Sequence, residues 1–291
     1  MLHADLVVGT GLPAVLEQTG DLVSTITPGD LVIAPFAFSD NTCDICLDGF
    51  QTACPHGGYF STCQSEVVRV PQADGTLVVA PATEDEAILK SYLALSDVYL
   101  TGYHAAFMGK VEPGKSVTVI GDGAVGLSAV LAASRMGADR IILMGRHTDR
   151  TDLGRDFGAT DVVAERGQEG VEKVRSMTDG QGTHVVLEAV GHMAAYEQSY
   201  GVVRSGGVIS RVGVPQYEDA PVGFMSLFGR NITLTGGPAP VRAYLEQGLK
   251  DVTSGLINPG QLFDVTLPLD EAPKGYELMD SRKALKVMLK P

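Results

Sequence analysis

Two stretches of the chain hold residues whose types and spacing can do chemistry. Residues 119 to 126 read VIGDGAVG, a G-x-G-x-x-G pattern formed by Gly121, Gly123 and Gly126, with Ala124 and Val125 inside it. Between a strand and a helix, the first glycine permits a tight turn, the second lets a diphosphate approach bare backbone, and the third lets helix and strand pack closely. The helix N-terminus adds free N–H groups and a favourable dipole. Alone, the pattern also suits a plain glycine-rich turn; at the first strand of a βαβ series it specifies dinucleotide binding.

The second stretch is DNTCDICLDGFQTACPHGGYFSTC, residues 40 to 63, which holds all four cysteines and one of the six histidines. Cys43 and Cys46 form a C-x-x-C knuckle, and Cys54 with either His56 or Cys63 could complete tetrahedral coordination of zinc. The alternatives are reduced or reactive thiols and a disulfide. A cysteine cluster in a chain of this size reads as metal-binding or reduced, not as a secreted disulfide scaffold.

Cofactor choice should be written about 20 residues past the glycine loop, where an acid binds the ribose 2′-hydroxyl in NAD sites. The sequence there is RIILMGRHTDR, so Met144, Gly145, Arg146 and His147 occupy the strand end and Arg150 lies within reach. With no acid to repel a 2′-phosphate and two guanidiniums able to hold one, NADP is expected over NAD. The plainer reading makes both arginines solvated residues at a helix start.

These residues need elements to position them. The chain has 291 residues, 44% of them hydrophobic, with 35 glycines and no tryptophan. That length accommodates two lobes. Up to about residue 115, short β-like runs (DLVIAPFAF, SEVVRVP, TLVVAP) are broken by Pro and Gly. Beyond it, SVTVIG, RIILMG, TDVVA, THVVLEAVG, GVISRVGVP and NITLTGG alternate with helical stretches. That rhythm predicts an α/β fold, a doubly wound parallel sheet of six strands covered by helices on both faces. The expected division is a mostly β lobe over 1–95, a dinucleotide-binding domain over 96–235, and a segment over 236–291 that rejoins the first lobe.

A formal net charge of −13 argues against nucleic acid and anionic membrane as partners. The start, MLHADLVVGTGLPAV, lacks a leader pattern, and no run approaches a membrane span, so a cytoplasmic protein is expected.

The runs PGDLVIAPFAFSDNTCDICLDGFQTAC, LSDVYLTGYHAAF and VTVIGDGAVG, closed by LKVMLKP, fall in one order. In this the chain resembles the medium-chain dehydrogenase/reductase superfamily, in its zinc-dependent alcohol dehydrogenase-like branch. The resemblance implies a GroES-like β lobe, a Rossmann lobe, and hydride transfer between NAD(P) and an alcohol or carbonyl compound whose oxygen sits on zinc. It places Asp97 at a ligand of the catalytic zinc, Thr101 beside the nicotinamide, and Lys286 at the pyrophosphate. Val190 and Gly191, with Val212, Gly213 and Val214, match strand ends that touch the nucleotide; their chemistry alone would make the valines core. A homodimer or tetramer is implied through the sixth strand, whose plain reading is an ordinary sheet edge.

The departures lie in the metal sites. GTGLPAVLEQTG aligns with a Gly-His-Glu motif, placing Thr10 and Gly11 where His and Glu belong. The GroES-like lobe is therefore expected to be partial, N-terminally shortened and without two catalytic zinc ligands, with His3 a weak substitute. The family's structural zinc uses four cysteines with two, two and seven residues between them. Counted from Cys43, the third and fourth places fall on Gly49 and Gly57, leaving Cys54 and Cys63 out of register. Two other functions stay open: a zinc-independent quinone or enone reductase, and a nucleotide-binding pseudoenzyme.

Overall fold

Alternating apolar and helical runs build one parallel sheet in the computed structural model, which describes residues 2–3, 12–60, 63–219 and 223–291. In chain order its strands are Ser116–Ile120, Arg140–Met144, Asp161–Val163, Thr183–Glu188, Val203–Arg211 and Thr233–Gly236. They lie side by side in the order third, second, first, fourth, fifth, sixth, and every neighbouring pair is parallel. This is the expected doubly wound α/β class. Strand order reverses at the first strand, and in open sheets that switch point is where nucleotides bind.

The crossovers carry helices Ala124–Arg135, Thr148–Asp156, Gly167–Ser176 and Met193–Val202. The strands are rich in Val, Ile and Leu because both faces are covered, so alternation gives way to continuous apolar runs. One face packs Ile142, Val163 and Val186 against Val171, Val174, Ala195 and Val202.

The chain divides into two compact units, one of residues Met1–Leu100 with Pro240–Pro291, the other of Thr101–Ala239. The second holds the parallel sheet. The first holds a five-stranded antiparallel sheet in the order Val67–Val68, Leu2–His3, Leu12–Leu16, Leu31–Ala34, Val78–Val79. Its core is formed by Leu12, Leu16, Val32, Val68 and Leu77. A short antiparallel pair, Ala37–Phe38 with Gly58–Tyr59, flanks the cysteine stretch.

The last part of the chain adds a parallel pair, Val265–Pro268 with Val287–Lys290, and helices Val241–Thr253 and Ala272–Asp280. Within this unit a Cβ on Gly248 would lie 2.9 Å from Leu95 Cδ2, so the helix bearing it can approach only as glycine. Helix Glu86–Leu95 starts at Asp85, whose side chain accepts from the Ala87 N–H at 2.9 Å. Glu86 is bridged to Lys90 at 3.1 Å and to Lys290 at 2.7 Å, tying that helix to the last strand. Among the described residues no helix is long and apolar enough to cross a membrane.

Candidate functional site

The glycine loop takes the shape its spacing demands. Gly121 follows the first strand at φ +112°, a conformation that L side chains resist, and its N–H donates to the Met144 carbonyl at 3.1 Å. A Cβ on Gly126 would fall 2.0 Å from the Gly121 carbonyl oxygen, so helix and loop close on each other only without side chains there. Gly123 caps helix Ala124–Arg135, and a Cβ on it would meet nothing within 4 Å. Its face is bare backbone at a helix N-terminus, the arrangement that receives a diphosphate.

At the end of the second strand, Arg146 is exposed, while Gly145, His147 and Arg150 are half-buried. Among the described residues neither Arg146 nor Arg150 enters an ion pair. A group that the sequence reading passed over lies beneath them. Asp122, between the first two glycines of the loop, accepts through Oδ2 from the Arg146 N–H at 2.8 Å and the His147 N–H at 3.0 Å. His147 Nδ1 lies 2.8 Å from the same oxygen. Burial pushes the Asp122 carboxyl up, but the contacts with His147 and Arg146 outweigh it and hold it below the usual carboxylate range. A Cβ on Gly145 would stand 2.5 Å from Asp122 Cβ, which is why glycine follows the strand.

The ends of the fourth and fifth strands interlock beside this loop. A Cβ on Gly191 would lie 2.1 Å from the Val214 carbonyl oxygen, and one on Gly213 would lie 2.2 Å from the Gly191 nitrogen. Val190 Cγ2 would stand 2.9 Å from a Cβ on Gly121, so Gly121, Val190, Gly191, Gly213 and Val214 form one rim. Glu188, fully buried, braces it by accepting from the Val190 and Gly191 N–H groups, each at 2.7 Å. The valines are not core. Val190 is 37% and Val214 78% exposed, and Val212 is half-buried, because each follows the last residue of its strand and leaves the sheet.

Thr101 is carried by helix Val98–Met108, and the next residue, Gly102, would place a Cβ 2.4 Å from the Ala129 nitrogen. That helix is thereby seated directly on the helix that follows the glycine loop. Asp97 precedes it and lies in the first unit with Lys286. Burial holds the Lys286 ammonium below the usual lysine range, and the nearby Asp97 carboxylate works against that shift. Among the described residues Asp97 joins no cluster of three donors able to hold a metal ion. Thr10, Gly11 and the His3 side chain lie outside the described residues. The described donors do not compose a catalytic zinc site, which needs about three protein ligands.

The cysteine stretch brings together four donors that could hold a metal ion, with a membership the sequence reading did not anticipate. Ligand atoms of Asp40, Cys43, Cys46 and Cys54 all lie within 4.8 Å of one another. Cys43 Sγ and Cys54 Sγ are 3.9 Å apart. Thiolates set tetrahedrally at about 2.3 Å from zinc stand about 3.8 Å from each other, so these donors fit the ion. Counting from the first cysteine misplaced the register by one ligand. Begun at Asp40, the intervals of two, two and seven residues fall on Cys43, Cys46 and Cys54, a carboxylate standing where the family has its first cysteine. Gly49, at φ +89°, and Gly57, where a Cβ would strike the Phe38 carbonyl oxygen at 2.4 Å, serve turns instead.

Cys63 is not in this cluster; it is 4% exposed among Leu12, Leu16, Val32 and Leu77 in the apolar core. Burial pushes its thiol up to about 11. His56 bonds to Asp40 through Nδ1 and stands behind the carboxylate. The Thr42 N–H, His56 and the Cys43 N–H hold Asp40 below the usual range. Burial, with hydrogen bonds to Cys43 and Cys54, pushes the Cys46 thiol up to about 12. No cysteine is in a disulfide.

Residues 124–251 match the zinc-binding dehydrogenase family. Zinc-type alcohol dehydrogenase B of Aspergillus flavus is 32% identical over 301 aligned residues, covering 97% of this chain and 69% of that protein. Sorbitol dehydrogenase of Bacillus subtilis is 27% identical over 95% of this chain and 78% of its own length. The solved structure of alcohol dehydrogenase TADH from Thermus sp. ATN1 superposes with a TM-score of 0.88 at 33% identity, covering 98% of this chain and 84% of that one. With the doubly wound sheet, the glycine loop and the Asp40 cluster, these likenesses have one meaning: the chain belongs to the zinc-binding alcohol dehydrogenase family of medium-chain dehydrogenases and is an alcohol dehydrogenase-like oxidoreductase.

Proposed function

We propose that this protein transfers hydride between NADP(H) and an alcohol, aldehyde or ketone. The observation that carries the reading is the pairing of a bare diphosphate cradle at Gly121, Gly123 and Gly126 with the exposed, unpaired guanidinium of Arg146 at the second strand's end. When bound, the nicotinamide supplies or takes up the hydride. The backbone at Ala124 and Val125 receives the diphosphate, Arg146 and Arg150 hold the 2′-phosphate, and the rim of Val190, Gly191, Val212, Gly213 and Val214 positions the nucleoside. Thr101 stands beside the reacting ring.

Asp40, Cys43, Cys46 and Cys54 would hold zinc in a structural role, with all four positions taken by protein donors and none left open for substrate. At Asp97 a different observation counts: the Lys286 ammonium is one of its electrostatic neighbours. That favours a second reading, reduction of an activated enone or quinone, where conjugation disperses charge that an alkoxide would otherwise leave on one oxygen. NADPH oxidation followed over aldehydes, ketones, enones and quinones, with zinc analysis of the same sample, separates the two. Turnover of simple ketones supports the first, turnover of enones alone the second, and nucleotide binding without turnover a pseudoenzyme.

The protein acts in the cytoplasm as a homodimer on this reading, and its −13 charge keeps it from nucleic acid and anionic membrane. Support for the dimer comes from the sixth strand, Thr233–Gly236, which among the described residues pairs only with the fifth, and from Phe224, Met225 and Phe228 just before it, each more than 80% exposed. A free strand edge beside so much apolar surface favours pairing with a second copy. Light scattering at micromolar concentration should give twice the chain mass; a monomer would remove this assignment.

A further inference from the structure

The end of the second strand lacks an acid of its own, yet a carboxylate stands there, delivered by the glycine loop. Asp122 is 9% exposed, and every hydrogen bond it makes uses Oδ2. Because a carboxylate only accepts, His147 Nδ1 carries the proton in their contact. Oδ1 accepts no hydrogen bond from any described residue. The carboxylate is 12% exposed and Oδ1 is not enclosed, so a ligand's hydroxyl can take the place of water on that oxygen.

We propose that Asp122 reads the 2′ position of the adenosine ribose. Its Oδ1 accepts from the 2′-hydroxyl of NAD, and its charge opposes the 2′-phosphate of NADP. The proposal rests on the nucleotide site described above and deepens it by setting a counterweight to Arg146. The two main-chain N–H groups that Asp122 occupies, those of Arg146 and His147, are donors an incoming phosphate would otherwise use at this helix start. A 2′-phosphate is left with guanidiniums alone and must sit near a buried negative charge. Attraction and repulsion then offset, and both cofactors remain usable. In sites with an acid on the second strand, that acid belongs to the strand itself; here the same service comes from the loop, held in register by the Gly145 contact.

Dissociation constants for NADH and NADPH, measured by fluorescence titration of the whole chain and of its variants, test the idea. For the unaltered chain they should agree to within about tenfold, as expected when charges of both signs face the phosphate. In Asp122→Asn, which keeps an oxygen for the two N–H groups, NADPH should tighten about tenfold while NADH weakens about threefold. Asp122→Ser should shift the ratio the same way. Equal changes for both cofactors would make Asp122 a structural brace and overturn the proposal. A preference for NADPH above about a hundredfold in the unaltered chain would overturn it even if the variants fail to fold. Arg146→Ala, run in parallel, keeps the two readings apart: an unchanged cofactor ratio there removes the arginine assignment while leaving an Asp122 effect intact.

Discussion

Gly126 and Gly121 meet backbone to backbone, with 2.0 Å between the place a Gly126 Cβ would take and the Gly121 carbonyl oxygen. Gly123, two residues along from Gly121, has open space on the same test. The two glycines therefore serve different ends, and their alanine variants should behave differently. Gly126→Ala must push the helix away from the loop and should cost about 1–3 kcal/mol of stability, with nucleotide affinity lost as well. Gly123→Ala should melt at an unchanged temperature and bind NADPH at least about tenfold more weakly, since only the ligand needs that space. Paired melting curves and titrations decide; a destabilised Gly123→Ala would contradict the bare-cradle reading.

Zinc analysis should find one ion per chain, held by Asp40, Cys43, Cys46 and Cys54. Cys43→Ser or Cys54→Ser should abolish it and Asp40→Ala should weaken it, while Cys63→Ser should leave the stoichiometry unchanged. Loss of zinc in Cys63→Ser would restore one of the two ligand sets that the sequence left open and refute the register that starts at Asp40.

Arg146→Glu should weaken NADPH far more than NADH, by about a hundredfold against less than threefold, because a charge-assisted contact to phosphate becomes a repulsion. Equal losses for both cofactors would take the 2′-phosphate away from this residue.

His104, 2% exposed on helix Val98–Met108, is pushed down by burial to about 4 from an ordinary 6.5. An unfolded chain takes up that proton near pH 6.5 and the folded chain only near 4, so its stabilising effect is complete above 6.5 and is lost as pH falls through this window. The loss amounts to about 3 kcal/mol at the acid end. His104→Asn should flatten the fall in melting temperature between neutral pH and pH 5. An identical acid limb in both proteins would rule His104 out as its source.

What could be read from the sequence divides along physical lines. The six strands and their helices were legible because a parallel sheet buried on both faces leaves continuous apolar runs between helical periods. Gly121 and Gly126 were legible because a tight turn and a close approach both demand glycine. Asp122 was overlooked because its importance comes from a contact with residues 146 and 147, which only the sheet brings near. Its charge between two glycines was the available signal. The metal cluster was half legible. Thiols announce themselves, whereas an aspartate able to replace one does not, and the count began one ligand late. Val190 and Val214 looked like core by residue type, yet they lie past the strand ends where burial stops. The short helix Phe224–Phe228, five residues long and exposed, had too little periodicity to be seen.

The most direct test of the account is calorimetric titration of the folded 291-residue chain with NADPH and NADH. Saturable binding at one site per chain, weakened at least about tenfold in Gly123→Ala without loss of structure, is the predicted result. No detectable heat from either nucleotide at millimolar concentration, on material that melts cooperatively, would contradict it.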